Sequence, residues 1–231
     1  MKKPTDILIR AFSAERLASY HRKGECEIEY LSRYLWNVAL CESLYPSLQC
    51  LEVTLRNSIN ISVSQEMNNP YWFDDATLIG LNELESVSNA KNLLTRKRKP
   101  VEHNRIIAEL NFGFWTALFD SRYEQKIWPK HLKSVFPNMP RALRSRHIIS
   151  KRLNRIRYLR NRVFHHEPIW HWLDLGQQHD EIMETIGWLS PIAGDLTIIV
   201  DRFHKVHTDG WQSNIEAVKT IIAQYLPGGE R

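Results

Sequence analysis

Apolar residues recur at spacings of three and four along nearly the whole chain, and period-two alternation is nearly absent. That periodicity belongs to helices that bury one face, so an all-α fold is expected. Residues that cannot continue a helix mark the breaks: Gly24, Asn68-Asn69-Pro70, Pro100, Trp128-Pro129, Phe136-Pro137, Pro168, Ser190-Pro191 and Asp209-Gly210. Between them the spacing predicts helices over about 14–24, 27–45, 47–67, 76–94, 105–119, 141–165, 177–189, 192–207 and 211–226. Ser13 is placed to cap the first, and Pro46 at a turn or first helical position. Leu31, Tyr34, Leu35, Val38, Cys41, Leu44 and Tyr45 are expected to form one buried stripe, and Gly113 to mark a close helix contact.

A chain of 231 residues with 43% hydrophobic composition suits one domain, 1–231, with a core over about 12–208. No run of apolar residues is long enough to span a bilayer, and the start, Met-Lys-Lys-Pro, lacks the apolar core of a signal peptide. Cys26, Cys41 and Cys50 are an odd number without a C-x-x-C pair, so neither a disulfide framework nor a zinc knuckle is indicated. A cytoplasmic protein is expected, with no membrane partner.

Net charge is +5, but its distribution says more. From Arg141 to Arg162 there are nine Lys or Arg residues and no acid. Arg141, Arg144, Arg146, Lys151, Arg152, Arg155 and Arg157 lead into the motif below, and Arg96-Lys97-Arg98-Lys99 form a second patch. Such clustering is the electrostatic footprint of a polyanion, so a nucleic-acid partner is expected on these residues. The plainer alternative is a solvated helix face.

The basic helix ends in Ile156–Pro168, IRYLRNRVFHHEP. Ile156, Leu159 and Val163 set its buried face, and Pro168 closes it. His165 and His166 are expected in the last helical turn, where carbonyl dipoles favour a protonated imidazole. Histidine suits proton transfer near neutrality, and arginine suits a phosphate because its guanidinium is always charged and forked. Arg160, Asn161 and His165 are therefore candidate catalytic residues, with Asn161 orienting His165 from four residues away. Arg160 and His165 are rotated by about 140° on an ideal helix, so either the helix unwinds before Pro168 or two copies share a site. Arg162 with His166, four apart, is a competing pair.

Arg160-Asn161-Arg162-Val163-Phe164-His165 resembles the R-x4-H signature of HEPN-type ribonucleases. It stands in an ordered series with Ala11-Phe12-Ser13 and Arg16-Leu17, Tyr34-Leu35-Trp36-Asn37, Leu51-Glu52 and Leu55-Arg56-Asn57. The series continues through Ala108-Glu109-Leu110-Asn111-Phe112-Gly113-Phe114-Trp115, His165-His166-Glu167-Pro168-Ile169 and Trp188-Leu189-Ser190-Pro191. The series resembles the Abi-like (abortive infection) family over about 12–191. The resemblance implies a HEPN-like helical bundle with peripheral helices and a homodimer with the motif at or beside its interface. It also implies a metal-independent endoribonuclease toxin of phage defence, leaving 2′,3′-cyclic phosphate ends, with no cofactor and no metal. Arg160 would serve the phosphate and His165 would be the general acid–base.

Alternatives stay open at this point. Arg160 could anchor a buried carboxylate such as Glu52. Glu109 could pair with Arg160 or Arg56 as a supporting residue. Phe112, Phe114 and Trp115 could stack nucleobases or lie in the core. His204-x-x-His207 could present two imidazoles on one face. The basic helix could hold a structured noncoding RNA without cutting it, or serve as a protein-interaction seam.

Overall fold

The computed structural model describes residues 4–225, and among these the chain forms helices joined by turns and loops, with no strand. The helices are α1 (Pro4–Phe12), α2 (Ala14–Ala18), α3 (Glu27–Met67), α4 (Leu81–Arg96), α5 (His103–Glu109) and α6 (Phe112–Ala117). They continue as α7 (Trp128–Val135), α8 (Arg146–Phe164), α9 (Leu175–Leu189), α10 (Pro191–Ile198), α11 (Phe203–Asp209) and α12 (Ile215–Ala223). No helix among the described residues is long and apolar enough to cross a membrane. The expected end of the last helix at 226 lies outside the described residues.

Two helices expected on either side of Pro46 are one. Helix α3 runs 41 residues with Pro46 inside it. A proline costs a helix one hydrogen bond, but tertiary burial outweighs that loss here. Leu40, Leu44, Leu48, Leu51, Leu55, Ile59 and Val63 are all buried, at spacings of three and four on both sides of the proline. The opposite correction applies to 105–119, which is broken at Leu110. Leu110 is extended, and the Asn111 side chain caps α6 by accepting from Phe114 N at 3.0 Å. Gly113 therefore marks no helix contact; a Cβ there would meet only the Asn111 side chain, at 3.0 Å. The helix expected over 192–207 is likewise split, because the Asp201 side chain accepts from Phe203 N at 2.9 Å and starts α11 afresh.

One domain is expected from length; the contacts group the chain into two compact units. The larger comprises Pro46–Arg160 and Asp180–Val200. Its core is aromatic, with Trp72, Phe73, Phe112, Phe114, Trp115, Phe119, Trp128 and Phe136 all buried. Phe112, Phe114 and Trp115 are thus core residues and not a stacking platform. Glu83, also buried, is held by Arg122 at 2.6 Å and the Tyr123 hydroxyl at 2.5 Å.

The other unit comprises Met1–Tyr45, Asn161–His179 and Asp201–Arg231. Leu17, Tyr20, Tyr30, Leu31 and Val218 form its buried apolar cluster. Ser13 caps α2 as expected, accepting from Arg16 N at 3.2 Å, although α2 stops at Ala18 and Gly24 (φ +89°) falls in the connection to α3. The stripe expected on α3 is only partly right. Leu35, Val38 and Tyr45 are exposed, while Arg33 and Asn37 are buried.

The Arg33 guanidinium is 1% exposed. It forks onto Glu25 at 2.5 and 2.7 Å, and donates to the Tyr20 carbonyl at 2.5 Å. Its charge centre lies 4.8 Å from the Trp170 ring and 4.8 Å from the Trp211 ring. Replacing one partner of such a pair strands the other, so Arg33→Met should lower unfolding free energy by about 3 kcal/mol, read from the urea midpoint. Glu25 adds a pH signature. The hydrogen bond from Arg33 holds its carboxyl below the ordinary value of 4.5. A depressed carboxyl stabilises the fold above its unfolded value and loses that contribution as pH falls through its lower folded value. Wild-type stability should therefore fall on acidification below 4.5, and its advantage over Arg33→Met should narrow there.

Candidate active site at the end of the basic helix

Ile149, Leu153, Ile156, Leu159 and Val163 are buried, so the apolar spacing of α8 sets its inner face as expected. The helix ends one residue before the histidines. His165 N donates to the Asn161 carbonyl at 2.9 Å and is the last residue held in the helical pattern. His166 adopts a left-handed conformation, φ 57°. Its N–H bonds the Val163 carbonyl at 3.2 Å and Glu167 N bonds the Arg162 carbonyl at 2.8 Å, which together close the helix as a Schellman turn. Glycine usually takes that position, so a histidine there stores strain. His165 and His166 thus follow the last turn and do not sit within it. Both are exposed, as is Asn161.

Two residues remote in sequence hold this turn. Arg16 Nη1 donates to the His166 carbonyl at 2.9 Å. Asn37 Oδ1 accepts from Ile169 N at 2.8 Å and Trp170 N at 3.1 Å, fixing the chain just beyond Pro168. Arg16, Arg33 and Asn37 were all missed as site-supporting residues. Arg16 and Asn37 stand inside the quoted sequence blocks, but no local pattern discloses a partner more than a hundred residues away. Arg162 also belongs to the turn: it pairs with Glu167 at 3.0 Å, donates to the Pro168 carbonyl at 3.0 Å and lies 5.5 Å from the Trp172 ring. It is a staple for the turn, and the expected same-face pairing with His166 is replaced by that role. Burial first, and the Arg162 charge second, push the His171 imidazole below its ordinary pKa. Burial pushes the Cys41 thiol up to about 11, which removes it as a nucleophile near neutrality.

Arg160 and Glu52 lie in the larger unit, where Arg160 Nη2 is 3.4 Å from Glu52 Oε2, both side chains about a quarter exposed. The anchoring alternative therefore describes Arg160 as it stands. Arg56, one turn along α3 from Glu52, is half-buried. Glu109 pairs with Lys97 at 3.0 Å, and so with neither Arg160 nor Arg56 as expected.

Part of the acid-free basic stretch is paired with acids from elsewhere. Arg152 pairs with Glu184 at 2.5 Å and lies 4.1 Å from the Trp188 ring; Arg155 pairs with Glu181 at 2.7 Å. Arg146 meets Glu124 at 3.3 Å and the Phe119 carbonyl at 2.9 Å, and Arg144 caps the Met139 carbonyl at 2.5 Å. These four therefore have intramolecular partners. Arg96, Arg98, Lys99, Arg141, Lys151 and Arg157 show no ion pair among the described residues, and all but Arg157 are exposed. His207 stacks on Phe203 (5.4 Å, 21°), whereas His204 packs edge-on against His179, so the His204-x-x-His207 pairing gives way to a different one.

No family model, no curated protein and no solved structure matches this chain.

The left-handed residue separates the two histidines experimentally. His166→Gly should raise stability by about 1 kcal/mol by removing the Cβ clash, while His165→Ala should stay within about 0.5 kcal/mol of wild type. Urea unfolding of both variants checks this; a destabilised His166→Gly would show that the imidazole itself holds the turn.

Proposed function

We propose that the chain is a metal-independent endoribonuclease of HEPN type, an Abi-like effector of phage defence that cuts RNA in the cytoplasm. The observation that carries this reading is the pair of exposed imidazoles on a strained turn closing a cation-rich helix. In this scheme His165 moves the proton between the ribose 2′-OH and the leaving 5′-oxygen, and Asn161 supports it. Arg160 serves the phosphate by exchanging Glu52 for it, since a contact of 3.4 Å between side chains a quarter exposed is a long one to give up. Attack of the 2′-oxygen on phosphorus expels the 5′-oxygen and leaves a 2′,3′-cyclic phosphate.

His165→Ala and Arg160→Ala should keep the wild-type circular dichroism and lose at least about a hundredfold in cleavage of single-stranded RNA, the usual weight of a positioned acid–base group. Unchanged cleavage in both would sink the assignment.

A second copy is part of the proposal. Leu35, Val38 and Tyr45 leave an apolar strip uncovered on α3, and Tyr45 packs at 5.9 Å on exposed Phe164, next to His165. Burying such a strip against its own copy is the usual fate of an exposed apolar face. Val38→Glu should turn a dimer into a monomer in sedimentation and lower cleavage with it.

A non-catalytic RNA-binding role is the other reading, favoured by Arg96, Arg98, Lys99, Arg141, Lys151 and Arg157. A pure binder, whether of a cognate noncoding RNA or another, would lose affinity steeply with salt and leave RNA intact.

A further inference from the structure

The guanidinium Nε is buried without a hydrogen-bond partner in Arg33, Arg56, Arg144, Arg146, Arg160 and Arg162. In all of these but Arg56 the terminal nitrogens meet a carboxylate or a carbonyl. Arg56 has no hydrogen bond, ion pair or ring contact among the described residues. It is nonetheless half-buried, next to Leu55, which is fully buried. A guanidinium taken partly out of water without a counter-ion is costly, and an incoming anion offsets that cost.

The neighbouring carboxylate does not serve Arg56. Glu52 stands four residues earlier on α3, so the two Cβ atoms lie about 5–6 Å apart on one helix face. Glu before a basic residue at that spacing is the favoured order for a helix pair. Glu52 turns instead to Arg160, at 3.4 Å. Glu52, Arg56 and Arg160 thus set two permanent positive charges against one negative, all within the larger unit. In sequence, Leu55-Arg56-Asn57 merely echoes Leu159-Arg160-Asn161. The fold brings the two arginines to one carboxylate.

We propose that Arg56 is a phosphate-binding residue, the landing point for a phosphate of an RNA strand beside Arg160. The choice of RNA as the source of the phosphate rests on the ribonuclease reading; the anion site itself does not. Arg56 offers a forked donor that is always charged and has no protein partner to give up. A phosphate held there lies about one helical turn from the Glu52 carboxylate. Like charges so close repel, which loosens Glu52 from Arg160 and frees Arg160 for the same strand. Arg56 therefore binds first and Arg160 second, and no bond is made or broken at Arg56.

Two probes test this on the full chain: inorganic phosphate, and a single-stranded RNA whose 2′-hydroxyls are methylated so that it cannot be cut. Phosphate should shift the Arg56 Nε–Hε resonance saturably, the resonance being assigned by its absence in Arg56→Gln. Arg56→Gln should weaken both probes about tenfold or more, the weight of one charge-assisted hydrogen bond. Arg56→Lys, which keeps the charge and loses the fork, should fall between. An unmoved resonance in wild type, or phosphate affinity unaltered in Arg56→Gln, overturns the proposal. Weaker phosphate binding with unaltered RNA binding overturns the RNA assignment. Should Arg56→Gln lose its circular dichroism, the wild-type resonance and Arg56→Lys decide. On cleavable RNA, Arg56→Gln should raise KM more than it lowers kcat. A wild type that binds both probes through Arg56 yet cuts no RNA supports this site and removes the ribonuclease reading. One that cuts RNA with the Arg56 resonance unmoved does the reverse.

Discussion

The Arg33 guanidinium, sealed between two indoles, is what the smaller unit is built around. A buried charge is tolerated only when its hydrogen-bonding edge and its flat faces are both occupied. Glu25 and the Tyr20 carbonyl take the edge; Trp170 and Trp211 take the faces, each such contact contributing up to about 2 kcal/mol when desolvated. Trp170 belongs to the segment just after the motif, and Asn37, one turn further along α3, accepts from its backbone. Two polar residues on one face of α3 therefore decide where the chain goes after the R-x4-H helix ends. With Arg16 and Arg162 they hold the turn that carries both histidines.

Charge in the larger unit follows the opposite logic. Its arginines mostly meet their counter-ions across helices: Arg152 on Glu184, Arg155 on Glu181, Arg160 on Glu52. Exposed pairs of this kind contribute little individually, and their value lies in setting the register of neighbouring helices. Lys151 and Arg157 of α8, with Arg96, Arg98 and Lys99, remain without an ion pair among the described residues.

Helical class was legible because the three- and four-residue spacing is a property of the chain itself. The inner face of α8, from Ile149 to Val163, followed from it directly. Pro46 was not legible, since the local cost of a proline is visible in sequence and the burial that overrides it is not. Arg33 and Asn37 were missed for a related reason: polar residues between apolar ones look like an outer face, and only partners at Tyr20, Glu25, Ile169 and Trp170 make them an inner one. The motif residues could be named from sequence, whereas their present contacts could not. Arg160 facing Glu52 was one of several options, and the Glu109–Lys97 pair was none of them.

The turn also divides labour between neighbouring histidines. The His166 backbone is committed at both ends, its N–H to Val163 and its carbonyl to Arg16, in a conformation that a side chain makes costly. A residue so constrained contributes chain direction, and its imidazole is carried wherever the turn points. His165 keeps one helical backbone bond, to Asn161. It leaves the helix at its carboxyl end, with its side chain exposed. Arg16 therefore shapes the turn from outside the motif. By holding His166 in place, it sets the point at which α8 stops and hence the direction from which His165 meets solvent.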